Sequence, residues 1–382
     1  MDPDHDLFDC HAAALRDLTD STTSNHAVDP KETLHQPANH ESSHSFLRKH
    51  FPSAYLMQHL DNLESAYHMG NYVIDRETGT KIFEPMSIYV RLGMHLLYYG
   101  NEQSKLLHLK EAQKLLEEES IKMGREYDAP QSKAHIEPFI TSFQLWDSLS
   151  QLKEPDPAKY DTFNQFFARE IKEDARPVQG AQDAEVTCSP ADCRLTAFPT
   201  VDLATKYWIK GRGFDLGRLL GSDDVASRFD GGSMVIARLA PQDYHRRHSP
   251  INGTVVAINE IPGAYYTVNP QAINEATTLD VFCENRRSVM VLKREETGSP
   301  IAMVVVGAML VGSIKYNPSI EVGAQIRRGE CLGAFYYGGS TVIVLYPRGE
   351  VALDEDLVRN SVEHSCETLM KVGWSTGRST RQ

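Results

Sequence analysis

The chain has 382 residues, of which 41% are hydrophobic and 24% charged, with a formal net charge of −13. That balance suits an ordinary globular protein with one large or two medium domains and a sizeable core. So acidic a chain is not drawn to nucleic acid or anionic bilayers in general, because such binding needs clustered Lys and Arg.

An anionic ligand therefore has to be met by a local basic patch. Three arginine pairs offer one: Arg246 and Arg247, Arg286 and Arg287, Arg327 and Arg328. The competing reading is solvated surface charge. Six cysteines without a CxxC pair or regular spacing point to reduced thiols and an intracellular setting, cytoplasmic or peripheral to a membrane. The opening residues, MDPDHDLFDC, are acidic and lack the apolar core of a secretory signal or the arginines of a transit peptide.

Residues 1–45, rich in His, Asp, Ser and Thr, read as a disordered polar tail that cannot repay its own ordering entropy. Within it, His40 and His44 have helical spacing for a metal, but disorder is the plainer reading. Residues 46–150 read as a helical N-terminal region, from stretches such as SKLLHLKEAQKLLEEESIKMG with leucines three and four apart. The apolar stretch Ile88–Gly100 suits core packing better than a membrane interface.

Residues 151–382 read as a β-rich domain. Short β-branched runs (SMVIARLAP, INGTVVAINEIPG, SVMVLKR, IAMVVVGAMLVGSI, STVIVLYP) are separated by Gly, Pro and Asn. The longest apolar run, Ile301–Ile314, is too short to span a bilayer and is read as buried strand. Asn252-Gly253-Thr254 fits a glycosylation sequon but is read as a turn. The predicted fold is α+β: a helical layer followed by an antiparallel sandwich or partly closed barrel.

Three segments carry candidate chemistry. In FYYGGST, Gly338 and Gly339 precede Ser340 at a loop-to-strand junction, where glycines leave a carbonyl open to close approach. Taken alone, such a motif is far more often a purely structural glycine turn entering a strand. In DYHRRHSP, His245 and His248 supply acid–base capacity near neutral pH. A zinc site would need further ligands that do not stand nearby in sequence, and no metal is expected. In SPADCR, Asp192 is by itself a turn residue. The order Asp192, His248, Ser340 nevertheless gives the acid, base and hydroxyl of a nucleophilic triad, whose proximity a sequence cannot show.

Six motifs in register then carry a resemblance. From about residue 73 to 375 the chain is similar to the phosphatidylserine decarboxylase proenzymes, through TFNQFFAREIKEDARPV (Thr162–Val178), SPAD (Ser189–Asp192), DYHRRHSPINGTV (Asp243–Val255), YYTVNP (Tyr265–Pro270), VGAMLVGSI (Val306–Ile314) and FYYGGST (Phe335–Thr341). The resemblance implies a pyruvoyl enzyme that cuts its own chain between Gly339 and Ser340 by serinolysis. Ser340 would be the nucleophile and become the pyruvoyl cofactor, which forms a Schiff base with the substrate amine and acts as an electron sink. His248 would be the general base, Asp192 the carboxylate orienting it, and His245 the group assisting decarboxylation, although the two histidines could exchange duties. Tyr266 and Asn269 would be polar contacts in the substrate pocket, or plain strand packing.

Two positions depart from the family pattern. Cys193 and Arg194 stand where many relatives have glycine after the motif aspartate, and Gly338-Gly339 replaces a leucine-glycine pair. The implied reaction is conversion of phosphatidylserine to phosphatidylethanolamine, with peripheral membrane contact, no nucleic-acid partner and the two cleaved chains remaining associated. A homo-oligomer is compatible with it. GAYYTVNP followed by ENRR resembles the phospholipid enzymes more closely than relatives acting on a free aromatic amino acid. A non-cleaving scaffold relative is the third reading, disfavoured by the presence of Asp192, His248 and Ser340.

Overall fold

The structure, a computed structural model, describes residues 70–85, 110–207, 209, 214–266, 280–307, 313–336 and 340–380. The polar tail, the stretch Ile88–Gly100, Asn269 and Gly339 lie outside these residues. The first strands are β1 (Gly70–Asp75), β2 (Lys81–Pro85), β3 (Val186–Cys188), β4 (Cys193–Phe198), β5 (Ser233–Leu239) and β6 (Arg246–His248). There follow β7 (Gly253–Ile261), β8 (Arg287–Arg294), β9 (Pro300–Gly307), β10 (Ser313–Tyr316) and β11 (Gln325–Ile326). The last are β12 (Cys331–Tyr336), β13 (Ser340–Tyr346), β14 (Val351–Leu353), β15 (Glu367–Met370) and β16 (Ser375–Ser379).

Ten strands form one large sheet in the order β11-β7-β8-β9-β13-β5-β4-β15-β1-β2, with two three-stranded sheets, β10-β12-β6 and β14-β16-β3, beside it. All printed pairings in the large sheet are antiparallel except β1 with β15. The fold is α+β as predicted, and the large sheet stays open, with β11 and β2 at its edges, rather than closing into a barrel.

The sheet centres on β13, STVIVLY, which is buried at every position between β9 and β5. A strand covered on both faces has no reason to alternate, which is why its sequence is a continuous apolar run. Each such side chain stabilises the fold by roughly 1.5–3 kcal/mol relative to exposure. The run Ile301–Ile314 contributes two strands to different sheets: β9 to the large one and β10 to a small one.

Residues 70–85 depart from the helical reading of the N-terminal region: they form the β1–β2 hairpin. Asn-Tyr-Val-Ile is β-forming, and Gly79 takes φ 67° in the turn, a left-handed value that glycine accepts without steric cost. Arg76 fixes this hairpin to the C-terminal part of the chain, donating to Asp356 at 2.7 Å, Asp354 at 2.8 Å and the Ser375 carbonyl.

Helices over Lys110–Asp128, Ile136–Ser142 and Phe163–Phe167 build a second core of Tyr127, Ile136, Phe139, Phe163, Phe166 and Phe167, with smaller neighbours. Thr162 caps the last of these helices by accepting from Gln165 N at 3.2 Å, which satisfies an otherwise orphaned donor. The arginine pairs do not form a basic patch. One member of each is buried against carbonyls: Arg247 on Ala334 and Lys315, Arg287 on Leu219, Cys283 and Arg218, and Arg328 on Gly180, Asp183 and Val186. A planar fork of five donors is well suited to gathering several carbonyls at once.

Candidate active site

Strands β5 and β6 belong to different sheets, as do β12 and β13, and the facing ends of these strands pair with one another. Leu239, the last residue of β5, pairs with Ser340, the first of β13. Ala334 pairs with Arg246, and the Phe335 amide donates to the His245 carbonyl at 2.9 Å. The end of β12 and the start of β13 are therefore brought to the two ends of the segment 240–245, the β5–β6 crossover. This is how residues nearly a hundred positions apart in sequence come to one place.

The turn into β6 is set by Asp243, which accepts from Ala240 N at 2.7 Å and pairs with buried Arg194. Burial pushes the Asp243 carboxyl upward, and Arg194 opposes this. His245 is fully buried, with Nδ1 2.9 Å from the Asp243 carbonyl and its ring centroid 4.0 Å from that of Phe167. A carbonyl can only accept, so Nδ1 is the donor in this contact.

His248 lies three residues further along, so His245 is nearer the crossover in chain order. Its Nδ1 is 2.8 Å from the Gly329 carbonyl and its Nε2 is 3.3 Å from the Tyr244 hydroxyl. Burial raises the Tyr244 hydroxyl far above its ordinary range, so it stays protonated.

Asp192 does not touch either imidazole. Its carboxylate accepts from Arg176 Nε at 3.0 Å on both oxygens, from Arg176 Nη2 at 2.6 Å, and from Val372 N at 2.8 Å. The direct Asp192–His248 contact suggested by residue order is thus not formed here, because a bidentate guanidinium is a stronger partner for a carboxylate than one ring N–H. The link between them runs through backbone: His248 N donates to the Pro190 carbonyl at 2.7 Å.

Ser340 is fully buried, and its Oγ has no hydrogen-bond partner among the described residues. A buried hydroxyl ordinarily finds a partner, so this one is an exception at the position where chemistry is expected. Its strand neighbour Gly307 is held by Asn285, whose Nδ2 donates to the Gly307 and Tyr266 carbonyls, both at 2.8 Å. Asn285 Oδ1 accepts from Tyr266 N at 2.8 Å. Tyr266 is fully buried and is tied to the Ser340 neighbourhood through this one side chain.

Several contributors were invisible as individuals in the sequence. Arg169, buried, donates to the Gln242 and Asp243 carbonyls at 3.1 and 3.2 Å, while Arg246 donates to the Ala168 and Arg169 carbonyls at 2.9 and 3.1 Å. TFNQFFARE and DYHRRH therefore lace each other together. The signal for this lay in the two motifs standing out as blocks, without any hint that they touch. Among the described residues, no group of three or more His, Cys, Asp or Glu gathers as a metal site would, and no helix is long and apolar enough to cross a membrane.

Residues 163–371 match the family model described as phosphatidylserine decarboxylase. The chain is 43% identical over 306 residues to phosphatidylserine decarboxylase proenzyme 3 of Schizosaccharomyces pombe, covering 80% of this chain and 31% of that protein. It is 39% identical over 329 residues to proenzyme 2 of Oryza sativa, covering 85% of this chain and 51% of the relative. With the proenzyme of Fusobacterium nucleatum it shares 33% identity over 304 residues, 80% of this chain and 96% of that one. The chain thus spans about a third to a half of the two eukaryotic relatives and matches nearly the whole of the bacterial one. On these matches the chain belongs to the phosphatidylserine decarboxylase family.

Proposed function

We propose that the chain is a decarboxylase of phosphatidylserine, yielding phosphatidylethanolamine, and that it matures by cutting itself between Gly339 and Ser340. The observation that carries this reading is the Ser340 hydroxyl, buried at the first position of β13 and without a hydrogen-bond partner among the described residues, in a chain whose relatives are named proenzymes.

In maturation, Ser340 Oγ attacks the preceding carbonyl and the acyl group moves from nitrogen to oxygen. β-Elimination then releases the upstream chain as a carboxylate, and hydrolysis of the dehydroalanine left behind releases ammonia and leaves the new N-terminus as a pyruvoyl group. A serine hydroxyl is a poor nucleophile unless a base takes its proton. His248 is assigned that role: the Gly329 carbonyl holds Nδ1–H, and Nε2, now 3.3 Å from the Tyr244 hydroxyl, is the nitrogen assigned to take the proton in exchange for that contact. Asp192 is assigned an indirect role. Clamped by Arg176 and Val372, it fixes the Pro190 carbonyl to which the His248 backbone is tied.

The buried site fits a pyruvoyl group, since an uncharged carbonyl built from Ser340 needs no counter-charge and Ser340 already occupies a dry position. When formed, the group supplies an electron sink for the carbon that loses carbon dioxide. His245 is assigned the proton delivered to that carbon. It is fixed by Asp243 and Phe167 and adjoins the crossover through Phe335. Tyr266, held by Asn285, and Asn269 are assigned to the substrate pocket. The lipid substrate requires the protein to meet a membrane surface peripherally, with the two cleaved chains remaining together through the β13–β5 and β13–β9 ladders.

Intact-mass spectrometry of the purified protein tests the maturation step. The expected result is a fragment ending at Gly339 and a C-terminal fragment of residues 340–382 with a blocked, pyruvoyl N-terminus. An intact chain under native conditions would sink the reading. Release of carbon dioxide from tryptophan but not from phosphatidylserine vesicles would instead reassign the substrate.

A further inference from the structure

Ser340 stands opposite Gly307 in the β13–β9 ladder. The ladder continues one segment further, because Gly307 N donates to the Arg286 carbonyl at 2.9 Å, just beyond the Arg287–Val306 pair. Ser340, Gly307 and Arg286 thus form one row across three neighbouring segments, and side chains in one row of a sheet share a face. Gly307 puts no side chain between the other two. Neighbouring strands lie about 4.8 Å apart, so the Cα atoms of Ser340 and Arg286 are separated by roughly 10 Å.

Arg286 is held in this row at both its backbone groups, since its amide also donates to the Ala264 carbonyl at 2.9 Å. Its side chain is partly exposed and hydrogen-bonds the side chain of buried Tyr265, while the carboxylates of Glu260 and Glu117 act on it only through space. Other arginines near the site are already engaged: Arg238 with Glu367, Arg194 with Asp243, and Arg287 with carbonyls. Among the described residues Arg286 forms no ion pair. It is the outward member of its arginine pair, in a chain so acidic that an anionic ligand has to be met by a local cation.

We propose that Arg286 binds the phosphodiester of the substrate headgroup and so selects a phospholipid over a free amino acid, an inference that rests on the decarboxylase reading for placing the substrate amine at residue 340. In a phosphoserine diester the amine is joined to phosphorus through two carbons and one oxygen, roughly 5 Å when extended. An arginine stem on the same face spans the remainder of the row. Its planar fork matches two phosphate oxygens at once. Tyr265 keeps the guanidinium from folding away. A free amino acid has no group to offer at that place.

Calorimetric titration of the full chain with glycerophosphoethanolamine, the headgroup of the product, reads binding without turnover. Wild type should bind it at least tenfold more tightly than ethanolamine, which lacks the phosphodiester. Arg286→Gln should lose that advantage, and Arg286→Lys, which keeps the charge without the fork, should retain part of it. With phosphatidylserine vesicles, Arg286→Gln should raise KM at least tenfold and change kcat far less. Equal wild-type affinity for glycerophosphoethanolamine and ethanolamine overturns the proposal, and this comparison decides even if a variant fails to fold. An Arg286→Gln protein that binds the headgroup as wild type does overturns it too, as does inorganic phosphate binding as tightly as the headgroup. Headgroup binding lost in Arg286→Gln, in a protein whose wild type releases no carbon dioxide from phosphatidylserine, would uphold the subsite and sink the decarboxylase reading instead.

Discussion

The ring of Phe167 lies against that of His245 with centroids 4.0 Å apart and planes inclined by 37°. Phe167 belongs to the aromatic core of the N-terminal helices, whereas His245 enters the β5–β6 crossover. One contact thus joins the helical layer to the catalytic chemistry assigned to the sheet. It helps fix the plane of an imidazole that also bonds from Nδ1 to the Asp243 carbonyl.

Phe167→Leu keeps most of the buried volume but removes the ring pair, which is worth about 0.5–1.5 kcal/mol beyond area burial. The expected outcome is a mild fall in stability by urea unfolding, near-normal self-cleavage, and decarboxylation reduced at least tenfold. Equal losses in cleavage and turnover would show that Phe167 acts on the whole crossover rather than on His245.

Ser340→Ala should abolish both the appearance of the 340–382 fragment and carbon dioxide release, since no other group in the proposal can become the electron sink. His245→Ala should still cleave at least partly yet turn over poorly. A fully active Ser340→Ala protein would refute the cofactor assignment outright.

Asn285 holds three backbone groups, two at Tyr266 and one at Gly307. Asn285→Leu strands all three in a buried place, at a cost of roughly 1–3 kcal/mol for each group that cannot reach another partner. Maturation, read as the rate of fragment release, should slow by at least tenfold because Gly307 is the strand neighbour of Ser340. Asn285→Asp keeps the acceptor and loses the donors, so it should fall between wild type and Asn285→Leu.

The Arg76 clamp gives a pH signature. Burial pushes the Asp356 carboxyl up, but hydrogen bonding to Arg76 and its charge more than offset that and hold it below its ordinary value. A depressed carboxylate stabilises the fold above its unfolded value, about 3.9. That contribution disappears as pH falls through the folded value. With the Asp356 side chain 37% exposed, solvent limits the contribution to about 1 kcal/mol or less. Unfolding measured from pH 6 downward should lose this increment in wild type below about pH 4, and Asp356→Asn should lack it at every pH.

How far the sequence alone reaches depends on whether a feature is local. The β13 run and the β9 run were legible because fully buried strands leave continuous apolar text between turn residues. The β1–β2 hairpin was not, because its two short strands are bracketed by helical text and its partner β15 lies almost 300 residues away. The arginine pairs misled for a related reason. Nothing local says that Arg247, Arg287 and Arg328 are turned inward onto carbonyls. Ser340, His245 and His248 stood out from their motifs. The residues that orient them, Asn285, Phe167 and Arg176, declare themselves only through contacts that chain order cannot express.

Arg176 and Asp192 decide how the proposed triad works. A carboxylate engaged by a bidentate guanidinium and a backbone amide can influence His248 only by holding the segment whose Pro190 carbonyl receives the His248 amide. If so, Arg176→Met and Asp192→Asn remove the same restraint. Each should slow maturation by a similar factor, at least tenfold, and the double variant should be little worse than either alone, since residues acting as one unit are not additive. Arg176→Lys, which keeps the charge but loses the planar fork, should recover only part of the rate. The opposite pattern is equally readable. If Asp192→Asn stops maturation while Arg176→Met leaves it intact or faster, the carboxylate must leave its clamp and reach the imidazole directly during the reaction.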